Sequence, residues 1–266
     1  MTATFVLVHG SNANASCWAQ LQGELASLGQ HSRAVDLPGH GPDAAPDTAQ
    51  PSALAGIGPA DNIEYVVEVV RQAAENGPVI LVGHSRGGCT VDGVGAAIPD
   101  LLARIVYISA WCCVRPLDSY LRTPEYATNS IDAAAAALRI GSPHELGAVR
   151  LNWRGADANT LDLLQVALLA DGSRAELHAF LHTLQSDETL VASAGPVDAA
   201  VWGRIPRAYI RLTADRSIPL ELQDLFIRDA DELTPDNVFD VHSVDSSHIG
   251  FLIRPQETAA ILGGLA

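Results

Sequence analysis

Six short segments of the chain, 3–8, 32–37, 79–82, 104–110, 206–212 and 237–243, have the apolar, β-branched character of strands. The third, Val79-Ile80-Leu81-Val82, is apolar at every position, as expected for a strand buried on both faces of a parallel sheet. Segments of helical period lie between them. Trp18, Leu21, Leu25 and Leu28 repeat along one helix face that closes at Gly29. Asp61-Asn62-Ile63-Glu64 has the spacing of a capping box and introduces a Val-rich helix to about Ala74. Further helices are predicted from Ser85 towards Ala97, over 220–228, and from Pro255. Strand and helix in alternation predict an α/β fold with a doubly wound, mostly parallel six-stranded sheet and right-handed crossovers. The rhythm lapses only between the fourth and fifth strands. There, Ala- and Leu-rich helical patterns at 131–140, 161–170 and 174–184 follow one another with no convincing strand. The expected organisation is a core of 1–111 and 205–266 with a helical cap, 112–204, inserted in it. The Pro-, Ala-, Asp- and Gly-rich stretch 42–60 reads as a surface loop.

The chemistry gathers at the carboxyl ends of the predicted strands, where open parallel sheets place their sites. The third strand runs into Gly83-His84-Ser85-Arg86-Gly87, a G-x-S-x-G pattern. A sharp strand-to-helix turn there would strain Ser85 and expose its hydroxyl, and side chains at Gly83 or Gly87 would collide with neighbouring backbone. Asp215 follows the fifth strand and His248 the sixth. A serine hydroxyl is a weak nucleophile near neutrality unless a neutral imidazole takes its proton, and a carboxylate on the far ring nitrogen fixes the tautomer. Ser85, His248 and Asp215 are therefore the candidate nucleophile, base and acid. The backbone N–H groups of Ser11 and Arg86 are the candidate oxyanion donors. Asn12, His84 and Trp111 are candidate pocket residues.

These motifs carry a resemblance. Phe5-Val6-Leu7-Val8-His9-Gly10 with Trp18, Asp36-Leu37, Gly83-His84-Ser85-Arg86-Gly87-Gly88, 209–219 and His248 together resemble the α/β-hydrolases of the plant methylesterase and hydroxynitrile-lyase branch. The chain is also similar to bacterial pyrethroid and other small-ester hydrolases. The resemblance implies an α/β-hydrolase fold, the triad Ser85, Asp215 and His248, the oxyanion donors Ser11 and Arg86, and cleavage of a small ester with an apolar or aromatic portion. Lactone, carbamate or amide hydrolysis, or a lyase or ligand-binding use of the pocket, are the alternatives. Two departures stand out. Position 86 is more often apolar in that branch; an arginine there either senses a negative substrate group or pairs with a nearby carboxylate, the simpler reading. The branch's lyases place a lysine after the histidine, where this chain has Ile249.

Composition narrows the field. The 266 residues are 48% hydrophobic and 18% charged, as in an ordinary globular protein. The sixteen basic residues are all arginines, which removes Schiff-base and lysine-base chemistry together with the P-loop lysine. A formal charge of −15 disfavours nucleic acid and anionic membranes as partners. The expected partner is a small-molecule ester, and a homodimer is left open. No cofactor and no metal are called for. Gly93-Val94-Gly95 fails as a dinucleotide fingerprint because Ile98 stands in place of the last glycine, and His178-Ala-Phe-Leu-His182 lacks the glutamate of the zinc-protease motif. Cys17, Cys89, Cys112 and Cys113 show no disulfide or metal spacing. Met1 leads into an apolar run without a basic n-region, so a cytoplasmic location is expected. Asp245, three residues before His248, is the rival acid, with a turn residue as its simpler reading. His9 is expected to orient the oxyanion loop, and His40 has no assigned role.

Overall fold

Side chains alternate along each strand, and here the two sets of side chains build two separate cores. The computed structural model describes residues 3–44 and 50–266. Six parallel strands, β1 (Thr4–Val8), β2 (His31–Val35), β3 (Val79–Ser85), β4 (Leu102–Ala110), β7 (Arg207–Leu212) and β8 (Asp240–Val244), lie in the order β2-β1-β3-β4-β7-β8. The remaining pair, β5 (Ala148–Arg150) and β6 (Asp187–Thr189), forms a separate antiparallel sheet. Phe5, Leu7, Ile80, Val82, Val106 and Ile108 pack on one face with Trp18, which precedes helix Ala19–Ser27, with Leu21 and Leu25 of that helix, and with Leu262 of helix Gln256–Gly264. Val6, Val8, Leu81, Ile105 and Tyr107 pack on the other against helices Pro59–Ala74, Gly87–Ala97 and Leu220–Leu233. Both faces of β1, β3 and β4 are thus covered, which is why their sequences read as nearly continuous apolar runs.

The chain order places β3 at the centre, between β1 and β4. Its carboxyl end is flanked by the loops that follow both neighbours.

The structure corrects several boundaries. β3 continues through Ser85 and the following helix starts at Gly87, not at Ser85, so the G-x-S-x-G motif straddles the strand-to-helix junction. The helix expected to be capped by Asp61 starts earlier, at Pro59; the Asp61 carboxylate itself receives the Gly58 N–H at 2.8 Å, and Glu64 plays no part. Residues 45–49 of the predicted loop at 42–60 lie outside the described residues.

The regular structure between β4 and β7 is chiefly helical, with helices Ile131–Leu138, Ala158–Leu168 and Arg174–Thr183 the longest, but the segment also holds the β5–β6 pair. Three-residue strands are too short to display a period of two, and Arg150, Asp187 and Glu188 put charge at three of the six positions. Arg150 and Asp187, opposite each other in the register, form a bidentate pair at 2.5 and 2.6 Å. That pair replaces the apolar cross-strand contact that a sequence pattern would reveal. No helix among the described residues is long and apolar enough to cross a membrane.

The junction of β3 with its helix is the tightest point of the core. A Cβ at Gly88 would lie 1.9 Å from the Trp111 carbonyl oxygen, and one at Gly87 would lie 2.6 Å from that of Val8. Both obstacles are backbone and cannot swing aside. Gly88→Ala should therefore destabilise the protein by about 3 kcal/mol or more, the upper range for overpacking, measured by chemical denaturation. A loss below about 1 kcal/mol would show that the β4 loop yields freely.

Candidate active site

Ser85 ends β3 with φ +54, in the left-handed region that a serine adopts only where its surroundings impose it. Gly10 makes room on one side: a Cβ there would approach the Ser85 Cβ to 2.8 Å. Gly83 makes room beneath, with the Gly87 backbone 3.1 Å from its would-be Cβ. The Trp111 N–H donates to the Ser85 carbonyl at 3.0 Å and ties the turn to the loop after β4.

The three sequence-predicted groups meet. His248 Nε2 is 3.1 Å from Ser85 Oγ, and His248 Nδ1 is 2.6 Å from Asp215 Oδ2. Asp215 is 2% exposed and both its carboxylate oxygens are met by protein donors. Oδ1 accepts the N–H groups of Ser217 and Ile218 at 2.7 and 3.0 Å, and Oδ2 accepts the Ser109 hydroxyl at 2.6 Å as well as His248. Ser109, buried with φ +36, was not singled out from sequence, although a lone hydroxyl in the otherwise apolar end of β4 was the available signal. The rival carboxylate, Asp245, is exposed and, among the described residues, accepts only a 3.3 Å contact from the Thr213 hydroxyl.

The His248 loop is held from the segment between β4 and β7. The Asp171 carboxylate receives both the N–H and the hydroxyl of Ser247, and the Ile249 N–H donates to Leu168 O at 3.0 Å. Asp171 in turn pairs with Arg254 at 3.3 Å.

Two further histidines surround the site and are held neutral. Leu37 N–H donates to His9 Nε2 at 3.2 Å, so the His9 proton sits on Nδ1 and is donated to Gly10 O at 2.8 Å. Burial, with His40 beside it, lowers the His9 pKa to about 4. That bond orients the loop 9–13, the role expected for it. His84 donates Nε2–H to the His248 carbonyl at 3.1 Å, its ring 4.6 Å from that of His248. Burial first, then the charge His248 can carry, keeps its pKa well below the ordinary value.

Ser11 and Arg86 flank Ser85 on the loop after β1 and on the elbow, and neither N–H donates to a protein acceptor among the described residues. The Arg86 guanidinium pairs with Glu188 (Nε to Oε1, 3.7 Å) and donates to Thr189 O, Thr189 Oγ1 and Val191 O. Its side chain is therefore occupied by the β6 segment. His40, given no role from sequence, is buried 3.6 Å from the same carboxylate.

A cavity of about 230 Å³ opens over Ser85 and His248. Asn12, His84 and Trp111, the candidate pocket residues, all line it, with Tyr126, Ile131, Trp153, Phe180 and Leu184 from the inserted segment. His178 and His182 are exposed, and no group of three or more metal-ligating side chains occurs among the described residues. Cys89, Cys112 and Cys113 are buried thiols, and Cys17 lines the cavity.

Comparison with known proteins matches residues 5–261 to the Alpha/beta hydrolase family. Polyneuridine aldehyde esterase of Rauvolfia serpentina is 26% identical, covering 97% of this chain and 93% of that protein. Its crystal structure superposes with a TM-score of 0.75 at 24% identity over 98% of each chain. The putative chloroplastic methylesterase 14 of Arabidopsis thaliana is 24% identical over 97% of this chain and 70% of its own length. A pyrethroid hydrolase of Sphingobium wenxiniae is 24% identical over 100% of this chain and 89% of its own.

The neutral His9 generates a stability prediction. Its pKa is about 4 folded against 6.5 free, so its contribution is complete above pH 6.5 and is lost as pH falls towards 4. The loss is on the order of 3 kcal/mol. His9→Gln keeps a donor and an acceptor but cannot be protonated, so its unfolding free energy should fall less steeply across that window. Identical pH slopes for the two proteins in denaturant titrations would contradict this.

Proposed function

The chain belongs to the alpha/beta hydrolase family, in its methylesterase-like branch, and on that premise we propose that it is a carboxylic ester hydrolase working through an acyl-enzyme on Ser85. The observation that carries the proposal is the continuous hydrogen-bonded line from Ser85 Oγ through His248 to the buried Asp215. In this reading His248 Nε2 removes the hydroxyl proton as Oγ attacks the ester carbonyl. Asp215, on Nδ1, holds the ring in the tautomer that leaves Nε2 free to accept, and stabilises the imidazolium. The unpartnered N–H groups of Ser11 and Arg86 receive the negative charge that develops on the carbonyl oxygen. His248 then returns its proton to the departing alkoxide, and a water attacking the acyl group repeats the cycle with His248 as base. His84 stays neutral beside the imidazolium and adds no competing charge.

The cavity supports a substrate with a small apolar or aromatic portion. Its aromatic and aliphatic walls favour such groups, and Ser11, Asn12, Ser85 and His248 add polar groups to the lining. The lyase reading is weakened by Ile249, a buried aliphatic residue that lines the cavity next to His248 and offers no cation to a leaving anion. Lactones, carbamates and activated amides present the same carbonyl to the same line of groups; a panel of chromogenic esters and lactones of graded size ranks them, with small aryl esters expected to turn over fastest.

Ser85→Ala should lower kcat by at least about 10³-fold while its unfolding midpoint stays at or above that of the wild type. Ester hydrolysis within tenfold of the wild-type rate by the folded variant would overturn the proposal.

A further inference from the structure

Glu188 is a carboxylate that no motif announces, brought into the core by β6. It is 7% exposed, and an isolated charge so placed would be costly. The residues gathered around it are those next to the oxyanion donors. Oε2 accepts the Asn12 N–H at 2.8 Å, and Asn12 follows Ser11 directly. Oε1 accepts the Thr189 N–H at 2.8 Å and faces Arg86 Nε at 3.7 Å. Arg86 Nη2 then donates to Thr189 O at 2.9 Å, Thr189 Oγ1 at 2.6 Å and Val191 O at 2.8 Å. His40 Nε2 stands 3.6 Å away on the remaining side. Burial alone would raise the carboxyl pKa, but the Arg86 guanidinium, His40 and the Asn12 N–H outweigh it and hold Glu188 well below the usual carboxylate range.

Asn12 is anchored more heavily still. Its Nδ2 donates to Gln185 O and Ser186 O at 3.0 and 3.2 Å, and its own carbonyl accepts the Gln185 N–H at 2.7 Å. With φ +57 it sits in the left-handed region, so the Ser11–Asn12 peptide depends on these bonds for its orientation. Buried ion pairs seldom add net stability, and their better-attested use is to fix one arrangement among several.

We infer that Glu188 and Arg86 are positioning residues: the β6 carboxylate and the elbow guanidinium together set where the Ser11 and Arg86 N–H groups stand relative to Ser85. This rests on the esterase reading above. Neither side chain touches the reacting atoms; each acts through a backbone N–H one residue away or its own. Displacing a donor by a fraction of an ångström weakens its hold on the transition-state oxygen far more than on a bound ester. The consequence is a loss in kcat with little change in KM.

The test uses the full chain with p-nitrophenyl acetate as substrate and diethyl p-nitrophenyl phosphate as inactivator, whose phosphoryl oxygen must occupy the same donors. Assays run at least 10 °C below each variant's melting midpoint. Glu188→Gln should lower kcat about 10–100-fold with KM within about threefold, and should slow phosphorylation of Ser85 by the same factor. Arg86→Leu should behave alike, and it decides the matter if Glu188→Gln does not fold. Because the carboxylate and the guanidinium face each other at 3.7 Å and each holds the other in place, the double variant should be no slower than the slower single one by more than about twofold. Folded single variants with kcat within twofold of wild type, a rise in KM alone, or losses that multiply in the double variant would each overturn the inference while leaving the esterase reading intact. A wild type that neither hydrolyses the ester nor is phosphorylated at Ser85 would overturn both.

Discussion

Everything at this site descends from one steric constraint: the close passage of backbone around the end of β3. The would-be Cβ atoms at Gly10, Gly87 and Gly88 all fall within 3 Å of a neighbour, two of them against backbone carbonyls. Only with bare glycines at these places can the first helical turn press against the ends of β1 and β4. That compression forces Ser85 to φ +54 and lifts its hydroxyl clear of the sheet. The strain costs about 1–3 kcal/mol, offset by apolar cores on both faces of the sheet. A relaxed turn would swing Oγ away from His248 and dissolve the geometry on which the proposed chemistry stands.

Around that fixed point, buried polar groups are sorted by charge. Asp215 is ringed by four donors, and Glu188 by two N–H groups and two potential cations that hold its carboxyl well below the usual range. Among the described residues no carboxylate forms an ion pair with His9 or His84, and burial keeps both neutral. The site therefore offers one imidazole, His248, placed to gain and lose a proton beside the serine. The neutral rings provide shape, hydrogen bonds to Gly10 and His248, and low polarity. The segment between β4 and β7 takes part in this sorting: Asp171 grips the His248 loop while Glu188 grips the loop after β1.

Much of this was legible in the residues. The inner strands β1, β3 and β4 follow from apolar runs whose physical cause, burial on both faces, leaves a plain trace. The order of Ser85, Asp215 and His248 along the chain follows from where parallel sheets place their carboxyl ends. What escaped has a physical reason in each case. The pair β5–β6 is held by Arg150–Asp187 and carries no apolar alternation. Glu188 is a single charged residue whose partners other than the adjacent Thr189 lie more than 100 positions earlier in the chain, so no local pattern encodes it. Arg86 was ambiguous because its partner was hidden, and the ambiguity ends once Glu188 is seen beside it. The start of the helix at Pro59 escaped because a glycine N–H bonded to Asp61 does the work expected of a side-chain cap.

The claim at the centre is that Ser85 becomes covalently acylated during turnover. Rapid acid quenching of the enzyme with a p-nitrophenyl ester, followed by peptide mass spectrometry, tests it most directly. The account predicts that the peptide carrying Ser85 gains the mass of the acyl group in the first turnover and loses it as substrate is exhausted. An unmodified Ser85 peptide during steady hydrolysis, or acyl mass on another residue that turns over at the catalytic rate, would contradict it.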